Sequence, residues 1–155
     1  MRPTHVTTYV GLADHAEKVL AESLHTVADG HAHVADVFHT AHLLGRWSEE
    51  NRQRLAPMVE RYGEQDVEEP ERLHHDGLAE ARSGEIGLVR DLQDLHVLAD
   101  LVETTWTVVA QGAQGLRDQE LLDVAHACSA RTARQLSWLN TRMKQATPQA
   151  LIVAP

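Results

Sequence analysis

The sequence predicts an all-α protein: a four-helix bundle with a short extra helix in the connector between the second and third helices. Three observations predict it. Four long segments repeat apolar residues at three- and four-residue spacing, which makes one face of a helix. Leu and Ala are abundant while the 155 residues include only one Phe and two Tyr, an aliphatic balance that favours helix over sheet. Two of the three joins are short and carry glycine, whereas the third is long, and four amphipathic helices of this length bury their stripes best against one another.

The first helix is expected from Thr4 to Asp29, with Val10, Ala13, Leu20, Leu24 and Val27 on its stripe and Asp29-Gly30 as the stop signal. The second runs from His31 to Tyr62 on Val34, Val37, Ala41, Leu44, Trp47, Leu55, Met58 and Tyr62. Gly45 and Pro57 interrupt it. Pro57 predicts a kink or a break near Ala56, and Ser48-Glu49-Glu50 is an alternative cap for a new helix after Trp47. Gly63 to Gly84 is an acidic connector, long enough for a crossover along the bundle, and Pro70 to Ala81 reads as its short helix. The third helix is expected from Glu85 to Gln111 with its turn at Gly112 and Gly115, and the fourth from Asp118 to Lys144 with Pro148 stopping it. Residues 1–147 therefore form one bundle domain, and 148–155, reading Ala150-Leu151-Ile152-Val153, an apolar tail suited to docking on this subunit or on a partner.

The hydrophobic fraction of 43% is that of a soluble globular protein. A net charge of −9 argues against a nucleic-acid partner, which needs clustered Lys and Arg. The single Cys128 suits a reducing compartment. Met1 leads into a polar stretch with no secretory signal, and no apolar run is long enough for a bilayer. A cytoplasmic location is expected, with no membrane partner. Histidine is the compositional outlier at 11. His5, His15, His25, His31, His33, His74 and His75 are expected on solvated faces, and His96 as a satisfied core histidine.

Four titratable side chains fall on the apolar stripes of the four helices: Glu17, His42, Glu103 and His126. Such groups are costly to bury unless paired, hydrogen-bonded or metal-bound. Glu17 stands 13 residues before Gly30 and His42 12 after it, while Glu103 stands 12 before Gly115 and His126 11 after it. Counted from those turns each pair is level, about 18 Å along the helix and near mid-height. In ferritin-like carboxylate centres two helices each give a Glu and the other two each give Glu-x-x-His. Glu17 and Glu103 fill the single-Glu roles, and Asp123-x-x-His126 is an acceptable variant on the fourth helix. His39-x-x-His42 on the second lacks the acid, which shifts preference from a di-iron pair toward one cation. The candidate metal ligands are Glu17, His42, Glu103, Asp123 and His126, for Fe, Mn or Zn, with redox activity toward oxygen species as one outcome. A metal-free polar layer fixing helix register is the competing reading. A hemerythrin-type site ranks lower, because no HxxxH falls on a buried face.

The segments RLAPMVERYGE (54–64), GLVRDLQDLHVLA (87–99), QGLRDQELL (114–122) and RQLSWLNTRMKQATPQAL (134–151) resemble a family of uncharacterised small bacterial proteins regarded as ferritin-like. The resemblance covers most of the chain and implies a bacterial, cytoplasmic, ferritin-like four-helix bundle, with no activity or ligand set attached. Members of that family often carry His at the place of Asn51, so a site using that position is altered here. Two functions are expected from this reading. One is a ferritin-like metal protein. The other is a non-enzymatic assembly or interaction protein, a homodimer or higher homo-oligomer joined through the apolar tail and exposed tryptophans.

Overall fold

The computed structural model describes residues 4–63 and 76–155. Four long helices make up nearly all of it: α1 (Thr4–Gly30), α2 (Ala35–Tyr62), α3 (Gly84–Leu116) and α4 (Gln119–Pro148). No strand is present among the described residues. The buried positions recur at alternating three- and four-residue steps on every helix, as at Val10, Ala13, Glu17, Leu20, Leu24 and Val27 of α1. Steps of four and three also run through Leu44, Ser48, Asn51, Leu55, Met58 and Tyr62 of α2, and through Leu121, Ala125, Cys128, Thr132, Gln135 and Leu139 of α4. A mean step of 3.5 residues is the seam of helices packed side by side in a bundle.

Cross-helix hydrogen bonds fix the connectivity. Glu17 meets Asn51 and His25 meets His42, so α1 and α2 are antiparallel. Glu17 also meets Trp106 and His31 meets Asp91, making α3 antiparallel to α1. Arg142 reaches Asp36 while Tyr62 reaches Asp118, making α4 antiparallel to α2. Going round the bundle the order is α1, α2, α4, α3, with α1 opposite α4 and α2 opposite α3. Because α2 and α3 are then parallel, the chain must cross the length of the bundle between Tyr62 and Gly84. The described part of that crossing lies along α1, where Leu78 N donates to Ser23 Oγ. Ala81 packs so close to Gly30 that a Cβ there would sit 2.1 Å from the alanine methyl.

Several expected boundaries are corrected. α2 is one helix through Gly45, Ser48 and Pro57. Pro57 is exposed, and Leu55, Met58 and Tyr62 on its other side are buried, so tertiary packing holds the helix across one lost backbone bond. α2 begins at Ala35, after a turn that contains His31. α3 continues through Gly112 and Gly115, and the left-handed residue that ends it is Arg117 at φ 56°. Residues 76–83 of the expected 70–81 helix and its flank are irregular, and 70–75 lie outside the described residues. α4 does end at Pro148, as expected, but the chain stays helical beyond it. The chain widens after it into a single π-turn (Gln149–Val153) before becoming extended at Ala154. Ala150 of that turn is buried, while Leu151, Ile152 and Val153 are 61%, 81% and 66% exposed.

Among the described residues no helix is long and apolar enough to cross a membrane.

Candidate functional site

The seam carries polar residues at mid-height, and Glu17 is the charged one. Its carboxyl is fully buried. Oε2 accepts from Asn51 Nδ2 at 2.7 Å and from the Trp106 indole N–H at 3.1 Å. Oε1 is buried with no hydrogen-bond partner among the described residues. Burial pushes the Glu17 carboxyl up from 4.5 to about 7, against the pull of hydrogen bonds from Asn51, Trp106 and Ser48. At neutral pH this group is balanced between its two protonation states. Around it α2 contributes Ser48 and Asn51, one turn apart, and α4 contributes Cys128, Thr132 and Gln135, all fully buried. The Gln135 amide ties the layer together by donating to the Leu44 carbonyl and to Ser48 Oγ, each at 2.9 Å. Burial, then the charge of Glu17, pushes the Cys128 thiol up to about 12. It is a small hydrophobe here rather than a nucleophile.

The other predicted site residues are not gathered on Glu17. Glu103 is half-buried and accepts from Ser129 Oγ at 2.8 Å, and its Oε2 is buried with no partner among the described residues. His126 and Asp123 are not turned into the seam: His126 is exposed, and Asp123 accepts from Gln119 of its own helix. His42 lies on the flank of the α1–α2 pair against His25 and Asp29, and His39 is exposed.

The height count from Gly30 is corrected by several residues. The His31–Val34 turn separates the helices, so the point of symmetry falls near Val34, and the residue level with Glu17 is Asn51. Nine residues further from that turn than His42, Asn51 is about 13 Å away along α2. The count from Gly115 falls short by nearly a turn as well, because α3 runs on to Leu116: the α4 side chain that faces Glu103 is Ser129, three residues beyond His126.

A second buried cluster lies at the turn end of α1. His31, expected in solvent, is 1% exposed, and its Nε2 is 2.8 Å from Oδ2 of the fully buried Asp91. Asp91 also accepts from the Arg82 backbone N–H at 3.0 Å and the Arg82 guanidinium at 2.8 Å. One carboxylate thus fastens the α1–α2 turn, the end of the connector and α3. His96, expected in the core, is instead a part-exposed residue paired with Asp100 at 3.1 Å. At the opposite end Asp118 caps α4 by accepting from Leu121 N, and also takes hydrogen bonds from Tyr62 and Arg61. Burial would raise the Asp118 carboxyl, but those donors hold it below its ordinary value. Burial and then Asp118 push the Tyr62 phenol up to about 12.

Among the described residues no three or more His, Cys, Asp or Glu side chains are grouped to hold a metal ion. No protein-family model, curated protein or solved structure matches the chain.

Proposed function

We propose that this chain is a ferritin-like four-helix bundle acting as a non-enzymatic assembly protein, its mid-bundle layer holding a proton rather than a metal pair. The single long crossover between parallel α2 and α3 is the connectivity of ferritin-like bundles, and it agrees with the family resemblance. The donor set does not fit two cations. Where such a centre draws Glu-x-x-His from its second helix, α2 offers Ser48-x-x-Asn51 at the height of Glu17, and both are neutral. Asn51 and Trp106 direct N–H groups at the carboxyl, as donors to an anion do and as metal ligands do not.

The observation that carries assembly is exposed apolar surface. Leu151, Ile152 and Val153 project from the end of α4, and Ile86, Val97 and Val108 are 41%, 48% and 45% exposed. The last three are eleven residues apart, three turns each, and so lie on one line along α3, about 16 Å from one to the next. Only at the end of α4 are three such residues consecutive; contiguous exposed apolar surface marks contact sites, and a two-fold pair of copies is the commonest solution. Light scattering on the full chain is expected to give a dimer or larger that becomes monomeric when Leu151, Ile152 and Val153 are all changed to Ser. A monomeric parent protein would refute the reading.

A second reading, one Fe, Mn or Zn ion at mid-bundle, is favoured by the two buried orphan oxygens, Glu17 Oε1 and Glu103 Oε2. The two carboxyls act on the same piece of α4: the charge of Glu17 reaches Cys128, and Glu103 accepts through its other oxygen from Ser129. Metal stoichiometry and melting temperature with added Fe(II), Mn(II) or Zn(II), each compared with Glu17→Gln, test it.

A further inference from the structure

On the flank of the α1–α2 pair, away from the core layer, four side chains stand in line: Glu49, His25, His42, Asp29. His25 Nε2 is 2.6 Å from Glu49 Oε1, and His42 Nε2 is 2.8 Å from Asp29 Oδ1. Between them the two Nδ1 atoms face each other at 2.6 Å. A carboxylate only accepts, so each Nε2 facing one carries the hydrogen. A neutral imidazole has a single N–H, and with both spent on carboxylates the two Nδ1 atoms turn bare lone pairs on each other. That arrangement is repulsive unless an electrophile lies between them. A shared proton meets the need, and so does a metal cation.

The rings are seated rather than loose. A Cβ at the buried Gly45 would come within 2.6 Å of His25 Cε1 and 2.7 Å of its Nε2, so the ring lies against the α2 backbone in space that only glycine leaves. A glycine inside a helix costs roughly 1 kcal/mol relative to alanine, which sets the seat apart from a chance surface contact. Phe38 meets the His42 ring edge-on at 4.9 Å and 83°. Both histidine side chains are part-exposed, at 29% and 23%, so the pair sits at the surface rather than in the core.

We propose that His25 and His42 form a transition-metal site in which one borderline divalent cation, Zn(II) or Cu(II), replaces the proton shared by the two Nδ1 atoms. Binding forms two metal–nitrogen bonds and releases one proton to solvent, with no change of oxidation state. Zn–N bonds of about 2.0–2.1 Å require the nitrogens to part by under an ångström in tetrahedral geometry, which a small rotation of the rings supplies. Water completes the coordination. Glu49 and Asp29 hold the far N–H of each ring, the arrangement that orients metal-ligating histidines and raises their basicity. Imidazole ligands suit Zn and Cu, with Cu(II) the tighter of the two. This site shares no residue with the Glu17 layer and stands or falls apart from it.

The test titrates the full chain, made without a His tag or chelators, with ZnCl2 alone, reading heat, proton release and the nitrogen resonances of all the histidine rings. One equivalent is expected to bind, with the ring shifts confined to His25 and His42 and one proton released per metal. His25→Gln and His42→Gln are each expected to lose the equivalent, Asp29→Asn and Glu49→Gln to weaken it on the order of tenfold, and Glu17→Gln to keep it. Gly45→Ala, which displaces the His25 ring, is expected to weaken it as well. Absence of a stoichiometric equivalent, shifts at other histidines, or binding unchanged in His25→Gln and His42→Gln overturns the proposal. Loss in Glu17→Gln alone assigns the metal to the core layer and overturns it too. The ring shifts are read on the unsubstituted protein, so a variant that fails to fold does not remove the test.

Discussion

Replacing Glu17 by Gln keeps the shape of a fully buried side chain and removes its titration. In the folded protein the carboxyl has been raised from 4.5 to about 7. The unfolded chain has largely released that proton by about pH 5.5, while the folded chain still holds it. Stability from this group is therefore full below 4.5 and falls as pH rises through 7, by about 1.4 kcal/mol per pH unit inside that window. From about pH 5 to pH 8 the loss is about 2.5 kcal/mol. The Glu17→Gln variant lacks it. Its amide N–H would stand where Oε1 has no partner, a constant penalty of about 1–3 kcal/mol, so its absolute stability is not diagnostic. The difference between parent and variant is. Urea unfolding of both at about pH 5, 6, 7 and 8 is expected to show the parent losing about 2.5 kcal/mol relative to the variant across the series. Parallel pH curves would refute a buried carboxyl that ionises near neutrality.

Three further outcomes follow from the same structure. Asp91→Ala leaves His31 and the Arg82 backbone N–H without their buried acceptor and is expected to cost about 3–5 kcal/mol in urea unfolding; a loss below about 1 kcal/mol would show that the cluster is not holding the α1 turn to α3. Asp118→Ala removes the cap of α4 and the acceptor of Tyr62, with an expected loss of about 1–2 kcal/mol and a fall of the Tyr62 phenol from about 12 toward its ordinary value of 10.0 in an ultraviolet titration. Trp106→Phe takes one donor from Glu17 and is expected to raise that carboxyl further above 7, moving the pH-dependent loss of stability to higher pH; an unmoved curve would rule out the indole hydrogen bond.

The four helices were legible because their stripes repeat over many turns. Their ends were not, where tertiary contacts outweighed local signals. Pro57 sits on an exposed face while buried residues on both sides carry the helix past it. Gly112 and Gly115 read as a turn, yet Ala113 between them is buried and the helix continues to Leu116. Glu17 was legible as a charge on an apolar stripe. Ser48 and Gln135 were not legible as site residues, and Asn51 was marked only through the family resemblance, because neutral polar residues do not stand out there. The signal that reveals them is the strict spacing of Leu44, Ser48, Asn51, Leu55 and Met58, which passes through Ser48 and Asn51 and leaves Trp47 at the edge. Taking Gly30 as the centre of the first turn shifted the expected register of α2 and put His42 where Asn51 belongs. The His31–Asp91 cluster joins residues 60 apart at helix ends, and no periodicity marks such a pair.

On this reading the mid-bundle carboxyl of Glu17 holds a proton near neutrality instead of a metal. Carbon-13 NMR of the glutamate side-chain carboxyls, with Glu17 assigned by its loss in Glu17→Gln, measures this directly. A Glu17 midpoint of about 7 is expected, unmoved by Fe(II), Mn(II) or Zn(II). A midpoint near 4.5, or a resonance that no longer titrates once metal is added, would contradict it.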